Sequence, residues 1–353
     1  MRFLNSCPGK ISFLFFVFIS VGQSFPLYAV YTSHLKKNSH YRKAADNFPG
    51  VILIESRDSR GRPLSTGSGM LIRSSQAEQF YVLTASHVLK GGVSYHVVLQ
   101  EKSYEIQSVS HFHEFLFDFF PEKTILVAKN NDTGERLFVL RLKQERDRLK
   151  EVLVSYGLDI GLGVVKGLPS DIETIELHET QFSEPEKSWV AGFGESGQGY
   201  FFGEGFAFWT YGSGTKRAFE TVLTPRYQFE FLEGDTMESL AKIYSYSSIF
   251  NPGDGHELSG HVGPGDSGGP AISQTSGKVM ALVSGTIPMI KKDSLKTDTY
   301  WKKIIRWFGA RSGSRSPLSY LFWHEANVYG SEAIYAGVGA PLMRQWIRRT
   351  LSD

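Results

Sequence analysis

The stretch Gly263-Pro-Gly-Asp-Ser-Gly-Gly-Pro270 is the most informative part of the chain. A serine hydroxyl is a poor nucleophile unless a base takes its proton, and the reaction also needs N–H donors directed at the developing oxyanion. The glycines around Ser267 allow the backbone to turn sharply and to approach a substrate closely. The amides of Gly265 and Ser267 could then point at one spot. This loop is therefore a candidate nucleophile loop with its own oxyanion hole, whereas the alternative is an ordinary glycine-rich turn.

Such a nucleophile needs a histidine base that the fold can bring next to it. The run Tyr81-Val-Leu-Thr-Ala-Ser-His87 places a histidine at the end of a strand-like segment. Thr84-Ala85 before His87, and Gly67-Ser-Gly69 upstream, give it a supporting pattern that most of the other histidines lack. Three of the others, in polar or aromatic loops, are His111, His113 and His256.

The third member of such a site is an acid that orients the imidazole and stabilises its positive form. Gly157-Leu-Asp-Ile-Gly-Leu-Gly-Val-Val165 embeds Asp159 in an apolar strand-like run. A carboxylate in such surroundings is costly unless it is hydrogen-bonded, and an imidazole N–H would meet that need. Asp118, within a phenylalanine-rich run, is the competing acid. The favoured triad is therefore His87, Asp159 and Ser267.

From residue 48 onward the pattern predicts an all-β fold. Short runs rich in β-branched and aromatic residues are separated by glycine, serine, aspartate and arginine clusters, which is typical of a barrel or sandwich. The segment 130–134 is typical of a hairpin turn, and 143–151 predicts an exposed helix or loop. Residues 341–351 predict a closing amphipathic helix with Leu342, Trp346 and Ile347 facing inward.

Together these motifs resemble the trypsin/chymotrypsin-like serine proteases. Residues 83–88 (LTASHV) resemble the family's Leu-Thr-Ala-Ala-His segment, 158–165 (LDIGLGVV) resemble its Asp-Ile-Ala-Leu strand, and 265–270 (GDSGGP) match its nucleophile loop, in the family's order. Weaker similarities extend from about residue 48 to 351. The resemblance implies two six-stranded antiparallel β-barrels, at about 48–175 and 176–353, with a C-terminal helix and the active-site cleft between them.

The chain also departs from the family pattern. The spacing between His87 and Asp159 is longer than in compact members, so an insertion lies within 101–150, and a second is expected within 289–330. No Ile-Val-Gly-Gly start is visible near residue 48. In the family a new N-terminal amine pairs with the acid before the nucleophile, here Asp266. Its partner in this chain is either a new N-terminus made within 42–51 or a fixed internal group.

The resemblance also implies a substrate pocket. Its base would lie at His261, where the acid that selects lysine or arginine is missing, and Ser284, Gly285 and Thr286 would line the pocket and the substrate strand. Cleavage after lysine or arginine is therefore expected to be poor. The substrate would be a protein or peptide, and no metal or organic cofactor is implied.

The first residues predict a targeting segment rather than part of the fold. The apolar run at 11–21 is shorter than the roughly 20 residues a helix needs to span a bilayer, so 1–24 is predicted to be a signal peptide. An uncleaved N-terminal anchor is the alternative. Residues 25–47 would form a linker or pro-segment, and the protein would be secreted or periplasmic. Its one cysteine, Cys7, excludes a disulfide framework within the chain and a multi-cysteine zinc site.

Composition narrows the partners. The hydrophobic content of 41% excludes wholesale disorder, and a net charge of +2 argues against a dedicated nucleic-acid binder. The basic, aromatic stretch at 291–315 is either a surface for anionic lipid or an acidic partner, or a solvated insertion, and the solvated insertion is favoured. The sequence leaves the oligomeric state open.

The function predicted from these residues is an exported serine endopeptidase that works through a Ser-His-Asp triad and an acyl-enzyme. Two alternatives remain. One is a catalytically silent protease fold retained as a binding module. The other is an α/β-hydrolase esterase, since Gly265-x-Ser267-x-Gly269 also fits a nucleophile elbow and His324 follows the serine. Against this, such a fold alternates strands with helices, and helical pattern is scarce here.

Overall fold

The computed structural model describes residues 30–32, 37–74, 79–194, 196–202, 205–211, 214–249, 258, 260–263, 265–290 and 328–352. Several predictions concern residues outside these ranges. They are the signal peptide at 1–24, the basic stretch at 291–315, His324 and most of the insertion predicted at 289–330. Among the described residues, no helix is long and apolar enough to cross a bilayer.

Antiparallel strands make up most of the fold. In chain order the strands are β1 (Val30–Thr32), β2 (Val51–Arg57), β3 (Pro63–Arg73), β4 (Phe80–Thr84), β5 (Ser94–Leu99), β6 (Lys102–His111), β7 (Ile125–Asn130), β8 (Arg136–Arg141), β9 (Gly161–Val165), β10 (Glu186–Gly192), β11 (Ser196–Phe202), β12 (Gly205–Tyr211), β13 (Arg217–Leu232), β14 (Ser239–Ile249), β15 (Gly260–His261), β16 (Pro270–Ser273), β17 (Val279–Ile290) and β18 (Val328–Gly337). The helices are α1 (Asn38–Ala45), α2 (Phe112–Phe119), α3 (Arg146–Tyr156) and α4 (Pro341–Ser352).

The first half of the chain forms a closed six-stranded barrel in the order β2-β3-β4-β9-β6-β5. β4 is buried along its whole length. Its Val82 packs with the barrel interior, whereas Tyr81 and Leu83 pack in a separate cluster that includes Phe112 and Trp346. Because side chains alternate along a strand, β4 lies between two cores, and its end is held firmly from both sides.

The second half forms an eight-stranded sheet in the order β10-β16-β17-β18-β14-β13-β7-β8, and β10 also pairs with β13. The long strand β13 makes this possible, since its first residues pair with β10 and its later ones with β14 and β7. Six of the strands are thus joined in a ring of pairings. The hairpin β7–β8 adds two more strands, although it comes from the segment 48–175 assigned to the first barrel.

The prediction of an all-β fold with a barrel and a C-terminal helix is confirmed. In α4 the buried residues include the predicted Leu342, Trp346 and Ile347. The turn at 130–134 joins β7 to β8, with Asn130 Oδ1 accepting the N–H groups of Asp132 (2.9 Å) and Thr133 (3.3 Å).

The insertion predicted within 101–150 begins later than residue 101 and ends later than residue 150. Residues 102–111 form β6, a strand of the first barrel. The added elements are α2, the hairpin β7–β8 and α3. The charged run at 143–151 enters α3, where Leu149 and Leu153 are buried, so this segment is an anchored helix rather than a purely exposed one.

The predicted linker or pro-segment at 25–47 contains regular structure. β1 pairs with β11 and with β15, and the four strands β12-β11-β1-β15 form a small sheet. α1 buries Tyr41 in a cluster with Val190 and Phe219 of the second sheet, and it also buries Ala45. The described part of this segment therefore packs on the second half of the molecule.

Candidate active site

The geometry of the first barrel brings His87 and Asp159 together. β4 ends at Thr84, and the chain turns into a short 3-10 helix, Ser86–Leu89, that carries His87. Asp159 comes just before β9, whose Gly161 pairs with Thr84. The two residues therefore leave neighbouring strands at the same end of the barrel.

The His87 ring is bound directly to the acid. His87 Nδ1 donates a hydrogen bond to Asp159 Oδ2. The backbone N–H of His87 donates to the other carboxylate oxygen at 3.2 Å, and the N–H of Ser86 donates to the Asp159 carbonyl at 3.2 Å. These contacts fix the carboxylate from both of its oxygens.

Burial differs sharply between the two partners. The Asp159 side chain is 2% exposed, whereas that of His87 is 35% exposed. An ionised carboxylate only accepts hydrogen bonds, so Nδ1 carries the proton and Nε2 is left as an acceptor in the neutral ring. A partly exposed ring that is held at Nδ1 by a buried acid has the arrangement that a general base requires.

The loop that carries Ser267 packs against the same end of the barrel. The N–H of Ser68 in β3 donates to the Ser267 carbonyl at 2.8 Å. Gly268 has φ +82°, and a Cβ there would lie 1.9 Å from Thr84 Oγ1 and 2.7 Å from the Ala85 nitrogen. The residue after the candidate nucleophile thus touches the backbone that leads into His87, and only glycine fits.

The three predicted triad residues therefore differ in their contacts with one another. His87 and Asp159 are hydrogen-bonded, and Ser267, which is partly exposed, reaches their end of the barrel through its loop. Among the described residues there is no hydrogen bond from the Ser267 hydroxyl to His87. Catalytic hydrogen bonds of this kind are often long in unliganded enzymes.

The candidate oxyanion donors lie on a tight turn. The N–H of Asp266 donates to the Gly263 carbonyl at 3.0 Å, and Gly265 has φ +91°. Within the described part of the chain, the amides of Gly265 and Ser267 donate to no backbone carbonyl. This is consistent with the predicted oxyanion hole.

Asp266 is held by internal groups. Its side chain is buried, Oδ1 accepts the N–H of Gly194 at 2.7 Å, and Oδ2 accepts the N–H of Gly263 at 2.9 Å. A Cβ on Gly192 would lie 2.3 Å from Oδ1, so glycine is required there. Of the two partners considered for Asp266, the structure has the internal one.

A buried arginine lies behind this acid. Burial raises the pKa of Asp266 to about 6, and the two backbone N–H bonds and the charge of Arg217 oppose that rise. Arg217 Nε donates to Asn38 Oδ1 of α1 at 2.6 Å, and Nη1 donates to the Thr215 carbonyl at 2.7 Å. Burial also lowers the pKa of Arg217 to about 10. α1 is thus part of the support behind the nucleophile loop.

The predicted pocket residues fall into two places. Ser284 is buried at a bulge in β17, Gly285 has open space where a Cβ would be, and Thr286 is exposed. The N–H of Gly268 donates to the Val283 carbonyl at 2.7 Å, which brings this strand beside the nucleophile loop. His261 is buried in β15, where it pairs with β1, and its ring bonds to the Val262 carbonyl at 2.7 Å.

Some neighbours of the site were not predicted from the sequence. Ser86 Oγ and His111 Nδ1 are hydrogen-bonded at 2.7 Å, and the rings of His111 and His113 stack with centroids 5.3 Å apart. Burial lowers the pKa of His113 to about 4, so this ring is neutral near pH 7. The competing acid Asp118 is exposed on α2.

No group of three or more histidine, cysteine, aspartate or glutamate side chains that could hold a metal ion occurs among the described residues.

Comparisons with known proteins give structural neighbours only. No family model and no curated protein matches the sequence. The solved structures that resemble this one include the active form of the Rv3671c protease from M. tuberculosis, at 17% identity and a TM-score of 0.39, covering 74% of this chain and 82% of that chain. The inactive form of that protease matches at 16% identity and a TM-score of 0.35, covering 74% and 88%. The function must therefore be argued from the site itself.

Proposed function

We propose that this chain is a serine endopeptidase in which Ser267 is the nucleophile, His87 the general base and acid, and Asp159 the acid that orients His87. The observation that carries the proposal is the hydrogen bond between His87 Nδ1 and the buried Asp159 carboxylate, beside the loop of Ser267. A histidine with a purely structural role does not need a partly exposed ring. A buried acid with a purely structural role does not need a titratable partner.

The reaction follows from these positions. Asp159 keeps the proton on Nδ1, so Nε2 takes the Ser267 proton as the hydroxyl oxygen attacks the scissile carbonyl. The carbonyl oxygen becomes an oxyanion, which the amides of Gly265 and Ser267 would stabilise. His87 then gives the proton to the leaving amine, the C–N bond breaks, and an acyl-enzyme forms. His87 then takes a proton from water, whose oxygen attacks the ester carbonyl. The C–O bond to Ser267 breaks, His87 returns the proton to the serine oxygen, and the acid product leaves.

The substrate in this proposal is an extended peptide that runs past Ser284, Gly285 and Thr286. Support comes from the bulge in β17 at this point and from the open space beside Gly285. The resemblance assigns the base of the pocket to position 261, where this chain has histidine instead of the acid that attracts a basic side chain. In the structure His261 lies in β15, apart from the residues of β17. Digestion of a peptide library is expected to show few cleavages after lysine or arginine, and a dominance of basic residues would contradict this pocket.

The proposal includes export to the periplasm or the medium through residues 1–24. The support is the short apolar run at 11–21 after basic residues. Fractionation of cells that express the full chain, followed by N-terminal sequencing of the exported form, tests it. Intact protein that stays with the membrane would favour the uncleaved anchor.

The test of activity is labelling with a serine-directed fluorophosphonate. The chain from about Phe25 is compared with its Ser267→Ala, His87→Ala and Asp159→Asn variants, and the exposed acid variant Asp118→Asn serves as the matched control. A protease is labelled at Ser267, loses labelling in the first two variants, is labelled far more slowly after Asp159→Asn, and keeps wild-type labelling after Asp118→Asn. Absence of any label, in folded protein, would favour the binding module.

The α/β-hydrolase alternative conflicts with the fold. Such an enzyme needs a mainly parallel sheet with alternating helices. The pairings of the barrel and of the eight-stranded sheet are antiparallel, as in β4–β9 and β17–β18. Labelling that survives His87→Ala but not His324→Ala would be needed to revive it.

A further inference from the structure

Ser68 occupies a central position for which the proposed reaction gives no reason. It lies in β3, in the Gly67-Ser-Gly69 segment, and its side chain is completely buried. A buried hydroxyl is costly unless its hydrogen-bonding capacity is used. The partners of Ser68 therefore indicate what the residue does.

Those partners belong to three different parts of the chain. Ser68 Oγ donates to the Gly265 carbonyl at 2.8 Å and accepts the Phe193 N–H at 2.8 Å. The Ser68 N–H donates to the Ser267 carbonyl at 2.8 Å. The Ser68 carbonyl in turn accepts the Thr84 hydroxyl at 2.6 Å. One serine thus connects the first barrel, the end of β10 and the nucleophile loop.

The two carbonyls that Ser68 holds enclose the catalytic amide. The Gly265 carbonyl belongs to the peptide before Asp266, and the Ser267 carbonyl belongs to the peptide after Ser267. The peptide that carries the Ser267 N–H lies between them. Since a peptide unit is planar, fixing its two neighbours limits the rotation of the Ser267 N–H.

Two glycines lie close against Ser68, so the side chain at position 68 has to be small. A Cβ on Gly269 would lie 3.3 Å from the Ser68 Cβ, and a Cβ on Gly192 would lie 3.1 Å from Ser68 Oγ. A hydroxyl can donate one hydrogen bond while accepting another, which alanine and valine cannot do. The hydroxyl at position 68 is therefore matched to its donor and its acceptor.

We propose that Ser68 is a positioning residue for acyl transfer, which holds the Gly265–Ser267 backbone in the conformation that binds the oxyanion. This inference rests on the proposed function. Removing one direct oxyanion donor costs roughly 100- to 1000-fold in rate. Because Ser68 acts through the backbone, the maximal acylation rate of Ser68→Ala should fall less than that, by about 10- to 100-fold.

The test measures fluorophosphonate labelling at a series of probe concentrations, which separates the maximal acylation rate from the affinity for the probe. The variants are Ser68→Ala and Thr84→Val, the second of which removes only the hydroxyl that holds the Ser68 carbonyl. Ser56→Ala is the matched control, since Ser56 is also buried in the first barrel and its hydroxyl bonds to Ser65 at 2.7 Å. Amide hydrogen exchange of the peptide spanning 265–269 is recorded in parallel.

The expected result is a slower maximal acylation rate for Ser68→Ala with unchanged affinity, a smaller decrease for Thr84→Val, and wild-type labelling for Ser56→Ala. Amide hydrogen exchange at 265–269 should become faster in Ser68→Ala and should be unchanged in Ser56→Ala. Wild-type acylation in Ser68→Ala would overturn the inference. Equal losses of acylation rate and probe affinity, together with a general loss of stability, would mean that Ser68 only stabilises the fold. That result would also overturn the inference.

The same experiment separates the two proposals. If the wild-type protein is not labelled at Ser267, the proposed function fails. The exchange measurement then decides whether Ser68 holds the loop, because it needs no activity. Unchanged exchange at 265–269 in Ser68→Ala would overturn the holding role as well, whereas faster exchange confined to that peptide would support it.

Discussion

Asp159 and Asp266 are both buried carboxylates near the proposed nucleophile, but their partners differ in kind. Asp159 binds the ring and the backbone N–H of His87, and that ring is 35% exposed. Asp266 binds the backbone N–H groups of Gly194 and Gly263, which do not titrate. In the proposed reaction the first acid assists a proton transfer, whereas the hydrogen bonds of the second hold a loop.

The comparison shows that burial of an acid does not by itself indicate catalysis. Removing a carboxylate from water is costly, and each of these two offsets part of that cost through charge-assisted hydrogen bonds. Only Asp159 has a partner that changes its protonation state during the proposed reaction. The two acids should therefore respond differently to the same chemical change.

The largest expected effect is on activity after Asp159→Asn. An amide at this position would favour the wrong tautomer of His87, and the turnover rate should fall by about 10⁴-fold. Folding should be little affected, because the amide still accepts the backbone N–H. Steady-state kinetics on a peptide substrate measure the rate, with Asp118→Asn as the control. Activity retained in Asp159→Asn would remove the distinction between the two acids.

Asp266→Asn should affect both stability and activity. The amide NH₂ would face a backbone N–H, so one buried donor loses its acceptor, at a cost of about 1–3 kcal/mol in the free energy of unfolding. The loop would also lose the anchor beside Ser267, so labelling should slow. Urea denaturation and fluorophosphonate labelling measure the two effects. A stable variant with slow labelling only, like that expected for Asp159→Asn, would contradict the holding role.

Asn38→Ala tests the support behind Asp266. Arg217 Nε would lose its acceptor in a buried site, at a cost of about 1–3 kcal/mol in the free energy of unfolding. The exposed Asn131 offers the matched control, Asn131→Ala. Denaturation curves give the difference between them. Equal stability of the two variants would mean that α1 does not stabilise the fold. That result would agree with the prediction that 25–47 is a removable pro-segment.

The smallest expected effect is on the pH dependence of the free energy of unfolding, through His113. The pKa of His113 in the folded protein, about 4, lies below its ordinary value of 6.5. Its contribution to stability is therefore complete above pH 6.5 and is lost as the pH falls towards 4. His113→Leu should lose less stability than the wild-type protein between pH 7 and about pH 4.5, measured by denaturation.

Asp266 should act in the opposite direction over the same range. Its folded pKa of about 6 lies above the ordinary value of 3.8, so its contribution decreases as the pH rises from 3.8 to 6. Asp266→Asn should therefore steepen the loss of stability in acid, whereas His113→Leu flattens it. The exposed histidine variant His40→Leu is the control for His113→Leu. Parallel pH profiles for His113→Leu and Asp266→Asn would contradict these assignments.

Local patterns predicted much of the candidate site. The nucleophile loop is recognisable from its full Gly-Asp-Ser-Gly-Gly-Pro string. His87 is recognisable because Thr84-Ala85 precedes it at the end of a strand and Gly67-Ser-Gly69 lies upstream. The closing helix α4 is predicted by its apolar spacing and by the proline in its first turn. Each of these signals lies within a short stretch of sequence, so no knowledge of the tertiary fold is needed.

Long-range partners were not predictable in this way. Ser68 and Gly265 are 197 residues apart, and Asn38 and Arg217 are 179 residues apart. Neither pair has a sequence pattern that links its members. Similarly, β7 and β8 are recognisable as strands, but nothing in their sequence indicates that they join β13 rather than the first barrel. Strand partners depend on tertiary packing, which a single sequence does not encode locally.

The most direct test of the central claim is to trap the acyl-enzyme with a slowly hydrolysed ester and to locate the acyl group by peptide mass mapping. An acyl-enzyme is expected to give a burst of released alcohol, followed by slow turnover. The wild-type protein is expected to carry a single acyl group on Ser267, and His87→Ala is expected to carry none. An acyl group on another residue, or equal acylation of Ser267 in both proteins, would contradict the central claim.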